Sequence, residues 1–121
     1  MRGLTIIVAT GDAGKFRAAL TLAISQAALG GTARVYCHEA SVALLARETT
    51  PDTDSAKLEA AGLPDRPALV VIALESGVDL IACQTGLTLT GLTLPGLIDG
   101  VEAGGLMGIM ATLGDDRLVS F

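Results

Sequence analysis

A cysteine at the end of a predicted strand is the residue with the clearest potential for chemistry. Cys83 follows the predicted strand 78–82, and Gln84-Thr85-Gly86 then turns into a predicted helix at 87–92. Amide N–H groups at the start of a helix favour an adjacent thiolate, which is the nucleophilic form of cysteine. Free cysteine is also one of the most buried residue types. Position alone therefore leaves a nucleophilic thiol and an inert core thiol equally open.

Cys37 and His38 form a second candidate at the end of another predicted strand. An adjacent imidazole can lower a thiol pKa or orient a proton transfer. A strand-end cysteine beside a surface histidine is the simpler interpretation, and we favour it. Cys37 and Cys83 are too far apart for a C-x-x-C pair. The chain has one His, so a zinc site would need both thiols, His38 and a carboxylate to converge, and we expect no metal.

A glycine-containing turn between the first predicted strand and helix is the third candidate. It reads Gly11-Asp12-Ala13-Gly14-Lys15-Phe16. A phosphate-binding loop needs wider glycine spacing and a hydroxyl after the lysine, and Phe16 stands there instead. We favour a tight turn with a helix cap. A small anion or nucleotide at Gly11, Gly14 and Lys15 is the alternative, because helix N-termini attract anions.

Composition excludes several functions. The net charge of −5 and a pI near 4.6 give no basic footprint for nucleic acid. One His and no G-x-S-x-G motif leave no hydrolase triad. The longest apolar run, 68–74, is too short to cross a membrane, and the run 4–10 lacks the flanks of an export signal. We expect a cytoplasmic protein with reduced thiols.

Strand and helix patterns alternate along the whole chain, which predicts a three-layer α/β/α fold with a mainly parallel sheet of about five strands. Predicted strands are 4–9, 32–36, 78–82, 101–103 and 117–121, and predicted helices are 12–29, 42–46, 55–61, 68–76, 87–92 and 106–113. The first helix should bury Phe16 and Leu20 and turn Gln26 to solvent. Run 68–76 has strand propensity, but Pro67 and Gly77 favour a helix.

The core must be aliphatic, because half of the residues are hydrophobic and only 2% are aromatic. Met107 and Met110 lie at helical spacing in a Gly- and Met-rich carboxyl-terminal half. Such a stripe is typical of a core or a subunit interface. We therefore expect a homo-oligomer.

Two segments resemble the DsrE/DsrF-like family. The first is Leu-Ile-Ala-Cys-Gln-Thr-Gly at 80–86, and the second is Leu-Ile-Asp-Gly-Val-Glu-Ala-Gly-Gly at 97–105. The similarity is strongest to the DsrE- and TusD-related branch, often labelled peroxiredoxin-family. Segment 116–121 resembles the last strand of those proteins. The resemblance covers nearly the whole chain, and its central and carboxyl-terminal segments are the specific ones.

The resemblance implies a single domain over residues 1–121, flavodoxin-like in outline, assembled as a small oligomer. It implies an intracellular sulfur relay in which Cys83 accepts a sulfane sulfur as a persulfide from a donor protein and passes it to an acceptor protein. Gln84, Thr85, Gly86, Cys37 and His38 would support that thiol. Such transfer needs a low pKa and access but no cofactor.

The sequence departs from that branch immediately after the cysteine. Thr85-Gly86-Leu87 stands where the branch commonly has Met-Ser-Met. No Pro-Thr-x-x-x-Cys motif is present, so peroxide reduction is not expected. The alternatives to a sulfur relay are a non-catalytic interaction subunit with a structural Cys83, or the small-anion binder described above.

Overall fold

A computed structural model describes residues 1–121 as a five-stranded parallel sheet flanked by helices. The strands are β1 (Leu4–Val8), β2 (Ala33–Cys37), β3 (Asp79–Cys83), β4 (Glu102–Gly104) and β5 (Arg117–Ser120). The helices are α1 (Ala13–Ala28), α2 (Ser55–Ala60), α3 (Arg66–Glu75), α4 (Gln84–Thr90) and α5 (Leu106–Ala111), with 3-10 helices at Glu39–Leu45 and Leu94–Gly96. None of these helices combines the length and the apolar character needed to span a membrane.

The strand order is β4-β3-β2-β1-β5, and every neighbouring pair is parallel. The predicted α/β fold with a parallel sheet of about five strands is confirmed. β2 is the middle strand and ends at Cys37, whereas Cys83 ends β3, which is second from the edge. Strand order depends on long-range pairing, which local patterns do not encode.

The direction of the crossovers explains why the two faces of the sheet are covered unequally. The chain steps from β1 to β4 in one direction, so right-handed crossovers place α1 and α3 on one face. The step from β4 back to β5 reverses direction, and α5 lies on the opposite face. We call these the first and second faces.

The first face carries the aliphatic core. Ile6, Val8 and Val35 are fully buried there with Phe16 and Leu20 of α1. The stretch with strand propensity is the helix α3, as predicted. Its N-cap Asp65 accepts a hydrogen bond from the N–H of Ala68 at 3.1 Å, and Pro67 stands in its first turn. Cap chemistry thus decides the local structure where residue propensity is ambiguous.

Gln26 departs from the expected outward orientation. It is 5% exposed, and its side-chain amide donates to the carbonyl of Arg2 at 2.8 Å while its oxygen accepts from Arg117 at 3.0 Å. A buried amide is tolerated when both of its ends are satisfied. Gln26 therefore joins the end of α1 to the residues preceding β1 and to the start of β5.

Arg66 is the charged residue buried most deeply, at 1% exposure. Its guanidinium donates to the Asp52 carboxylate at 2.8 and 3.0 Å and to the carbonyl of Leu44 at 2.6 Å. Full pairing compensates the desolvation of this charge. The contact ties α3 to the 3-10 helix Glu39–Leu45, whose first residue reaches the candidate site described below.

The second face is more polar and less covered. Arg34 of β2 donates to Thr5 at 2.8 Å and to the carbonyl of Ile109 in α5 at 2.9 Å. Beyond that contact the face exposes an apolar surface, which we define as Leu106, Met107, Met110 and Leu118. Met107 is 87% exposed, so contacts within one chain leave much of this apolar surface uncovered.

Candidate functional site

Cys83 lies where β3 ends and α4 begins. Its thiol serves as the N-cap of α4, and the sulfur accepts the N–H of Gly86 at 3.4 Å. The residue is 4% exposed and lines a cavity of about 270 Å³. The cavity is formed by Tyr36, His38, Cys83, Gln84, Thr85, Gly104, Gly105 and Leu106. Four of these lining residues are exposed to solvent, so the cavity opens to the surface: Gln84, Thr85, Gly105 and Leu106.

Two opposing effects set the pKa of the Cys83 thiol. Burial is the largest and raises it, because a thiolate is poorly solvated there. Hydrogen bonds from the Tyr36 hydroxyl and from the backbone N–H of Glu39 act in the other direction. The N–H groups of Gly86 and Thr85 add to them. Together these donors outweigh burial and leave the pKa of Cys83 below its usual value. A thiol with this environment ionises more readily than a free cysteine.

Glu39 reaches the sulfur through an unusual backbone conformation. Its φ is 44°, and it is the single residue other than glycine with a positive φ in the chain. Such a conformation costs free energy for a residue with a side chain and persists where surrounding contacts enforce it. Here it places the Glu39 N–H beside Cys83 at the start of the 3-10 helix Glu39–Leu45. The strained backbone of Glu39 thus allows its N–H to donate a hydrogen bond to the Cys83 sulfur.

Gly86 allows α4 to approach that 3-10 helix closely. A Cβ atom at position 86 would lie 2.7 Å from the carbonyl oxygen of Glu39 and would also overlap the side chain of Val42. Backbone oxygen cannot give way as a flexible side chain can. The absence of a side chain at position 86 therefore keeps the N–H groups of both segments on the sulfur.

Tyr36 stands beside Cys83 on the second face. It lines the same cavity as Cys83 and Leu106, the first residue of α5, and hydrogen bonding from its hydroxyl is one of the causes that lower the pKa of Cys83. Burial, followed by the hydrogen bond and the negative charge of Cys83, raises the pKa of Tyr36 far above its usual value. The phenol therefore stays protonated under conditions that ionise the thiol. It remains a hydrogen-bond donor to the thiolate.

His38 lines the same cavity and is half-buried. Its ring lies 6.1 Å from the ring of Tyr36, and its Nε2 is 3.7 Å from the Glu39 carboxylate. Its Nδ1 is buried and has no hydrogen-bond partner. The structure thus brings His38 to the cavity wall.

Cys37 is separated from the cavity. It is fully buried, and its side chain lies on the first face, among the aliphatic core. Burial raises the pKa of Cys37 to about 12, although a hydrogen bond from Ser41 acts in the opposite direction. The buried and protonated thiol has the properties of an inert core residue.

The turn at Gly11, Gly14 and Lys15 lies elsewhere, at the start of α1. The Asp12 carboxylate caps α1 and accepts the N–H of Lys15 at 2.8 Å. A cavity of about 510 Å³ lies beside this turn and is lined by Asp12, Asp52 and Asp54. Lys15 does not line it, and the guanidinium of Arg66 is committed to Asp52. This cavity presents carboxylates more than cations.

Three contributors to the cysteine site lie outside the residues that sequence reasoning selected. They are Tyr36, Glu39 and Leu106. Glu39 and Leu106 act through backbone N–H groups, which no residue type reveals. Tyr36 could have been noticed as the chain's only Tyr, in a strand next to the candidate cysteine-histidine pair. No group of three or more metal-ligating side chains is brought together anywhere in the chain.

No protein-family model matches this sequence, and no curated protein sequence matches it either. Solved structures do share its fold. The ychN protein from E. coli superposes with a TM-score of 0.75 at 24% identity, covering 100% of both chains. A protein of unknown function from Methanobacterium thermoautotrophicum, MTH1491, superposes with a TM-score of 0.67 at 16% identity, also over 100% of both chains. These similarities show a common fold.

Proposed function

We propose that this protein is a sulfur carrier of the DsrE/DsrF-like type, with Cys83 as the residue that accepts and releases a sulfane sulfur. One observation carries the proposal: the Cys83 sulfur receives several hydrogen-bond donors at the wall of a small surface cavity. The motif around Cys83 that resembles DsrE/DsrF-like proteins and the fold shared with solved structures support it. The chemistry suits a reducing compartment such as the cytoplasm.

The proposed reaction needs only thiol chemistry. The Cys83 thiolate attacks the terminal sulfur of a donor persulfide, R–S–SH. A bond forms between Sγ and that sulfur, the donor's S–S bond breaks, and its electron pair leaves with the donor as R–S⁻. Cys83 then carries –S–SH, and an acceptor thiolate removes the outer sulfur in the same way. The sulfane sulfur keeps its oxidation state, so neither an oxidant nor a metal is consumed.

The cavity limits what can reach the sulfur. Its volume of about 270 Å³ is just below the usual range for a small-molecule pocket. Gly104 and Gly105 form part of the wall and carry no side chains. This opening suits a persulfide presented on the tip of a donor chain. Donor and acceptor proteins are therefore the proposed partners.

We propose also that the protein works as a homo-oligomer assembled through the apolar surface of α5 and β5. Leu106 belongs both to that surface and to the cavity wall. Burying exposed Leu and Met side chains against a second copy would supply the cover that the second face lacks.

Mass spectrometry of the intact protein tests the sulfur-carrier proposal. Incubation with a persulfide donor should add the mass of one sulfur atom, and a thiol reductant should remove it. Cys83→Ser should abolish the adduct, whereas Cys37→Ala, the matched control, should retain it. An adduct that survives Cys83→Ser, or none on the native protein, would overturn the proposal. An interaction subunit with a structural Cys83 predicts instead that alkylation requires denaturation.

A further inference from the structure

Strand register places Tyr36 next to Cys83. Tyr36 pairs with Ile81 across β2 and β3, and Cys83 lies two residues beyond Ile81. Alternate residues of a strand point to the same face, so Tyr36 and Cys83 are diagonal neighbours on the second face. An aromatic side chain is long enough to bridge that separation. Both residues line the same cavity.

The Tyr36 hydroxyl is held from behind by α5. Tyr36, Cys83 and Leu106 line the same cavity, and the causes of the pKa shifts of Tyr36 and Cys83 place the hydroxyl in a chain of polar interactions between the Leu106 N–H and Sγ of Cys83. A donor that itself accepts a hydrogen bond is polarised and becomes a stronger donor. The chain runs from the start of α5 to the reacting sulfur.

We propose that Tyr36 is a second catalytic residue of this site, whose hydroxyl stabilises negative charge on Sγ while the Leu106 N–H keeps it in place. This inference rests on the sulfur-carrier function proposed above. During loading, the hydroxyl increases the thiolate fraction. During release, Sγ of Cys83 is the leaving group. The acceptor thiolate bonds to the outer sulfur and the S–S bond breaks. Its electron pair returns to Sγ, where the Tyr36 hydroxyl stabilises the negative charge.

The hydroxyl has opposite effects on attack and on release. A thiolate of lower pKa is a weaker nucleophile but a better leaving group. Removing the hydroxyl should therefore raise the pKa of Cys83, raise the reactivity of its fully formed thiolate, and slow the release of sulfur to an acceptor. A residue that merely packs against the cavity would not produce this combination.

Tyr36→Phe tests the inference in the full chain. Ultraviolet absorbance of the thiolate against pH, with Cys83→Ser as the blank, measures the Cys83 pKa free of the Cys37 contribution. We expect the pKa to rise by about one pH unit, from the usual strength of a hydrogen bond to a charged group. Reaction with a chromogenic aromatic disulfide at high pH should become about threefold faster, following the Brønsted relation for thiolates. An unchanged pKa with an unchanged limiting rate would overturn the inference.

A second replacement covers the case in which Tyr36→Phe does not fold. Tyr36 is the only Tyr, so growth on 3-fluorotyrosine alters this one phenol. The more acidic phenol is a stronger donor and should lower the pKa of Cys83, opposite to the effect of Phe. If the pKa stays at the native value, Tyr36 does not act on the sulfur. A native protein that titrates as expected but takes up no sulfane sulfur would instead remove the sulfur-carrier function.

Discussion

Replacing Gly86 with alanine should damage the fold and the thiol environment together. The added Cβ would lie 2.7 Å from the Glu39 carbonyl oxygen and 3.0 Å from the Glu39 Cα. Both are backbone atoms, and Glu39 already has a φ of 44°. Gly86 itself has no positive φ, so its backbone conformation suits alanine. The expected effect is therefore steric, with α4 and the 3-10 helix Glu39–Leu45 forced apart.

The magnitude follows from two opposing contributions. Overpacking a tightly packed site costs about 1–3 kcal/mol. Alanine in a helix recovers about 0.5–1 kcal/mol relative to glycine. The overlap with two backbone atoms and with Val42 places the cost toward the upper end. We expect Gly86→Ala to lower the free energy of unfolding by about 1–2.5 kcal/mol.

Gly108→Ala is the matched control. Gly108 is also a helical glycine without a positive φ, and a Cβ there would meet no atom within 4 Å. Only the propensity gain applies, so this variant should be more stable than the native protein by about 0.5–1 kcal/mol. Urea denaturation followed by far-ultraviolet circular dichroism measures both values. The titration of Cys83 should shift to higher pH in Gly86→Ala alone, because the Glu39 N–H moves away from the sulfur.

Equal stability of Gly86→Ala and the native protein would show that the two segments are not in close contact. A loss of stability without any change in the Cys83 titration would separate packing from the thiol environment. In that case the Glu39 N–H would not be one of the groups that lower the pKa of Cys83.

Two further predictions concern pH and assembly. Folding raises the pKa of Cys37 from 9.0 to about 12. Between these pH values the unfolded chain has lost the thiol proton while the folded chain keeps it. The free energy of unfolding should therefore fall as the pH rises, by up to about 1.4 kcal/mol per pH unit. Unfolding measured from pH 8 to 11 should show a shallower decline in Cys37→Ala, and an equal decline would contradict the assignment. Met110→Glu should reduce the particle mass measured by light scattering, whereas Leu29→Glu, at the exposed apolar C-cap residue of α1, should leave it unchanged. If the native protein is monomeric at high micromolar concentration, the apolar surface is not an interface between copies.

Local signals in the sequence were sufficient for the elements of this fold. Pro67 and Gly77 predicted the helix α3 despite its strand-like residues, and Gly77 follows that helix with a φ of 86°. These signals act over a few residues, where backbone conformation and capping depend on neighbours in the chain. The order and type of the elements were therefore predictable, whereas some boundaries were wrong: the helix predicted at 87–92 is α4 (Gln84–Thr90), and the helix predicted at 42–46 is the 3-10 helix Glu39–Leu45.

The arrangement of the site was less predictable, because it depends on strand order. Cys83 could be selected from its place after a strand. Its partner Tyr36 lies on the neighbouring strand, and only the register between β2 and β3 brings the two together. Position 39 is a glutamate, whereas glycine or asparagine would have predicted its left-handed conformation. Gln26 was misplaced because its polar type conceals two buried hydrogen bonds.

The glycine at position 86, where the DsrE/DsrF-like pattern that this segment resembles commonly has serine, has a structural meaning. In this chain the Ser position is Gly86, the point at which α4 touches the backbone of Glu39. A serine carries a Cβ and would hold the two segments further apart, because the Glu39 oxygen lies 2.7 Å from that atom's position. The sulfur would then depend more on the Tyr36 hydroxyl and on the start of α4. Gly86 therefore allows two converging segments, α4 and the 3-10 helix Glu39–Leu45, to direct backbone N–H groups at the Cys83 sulfur.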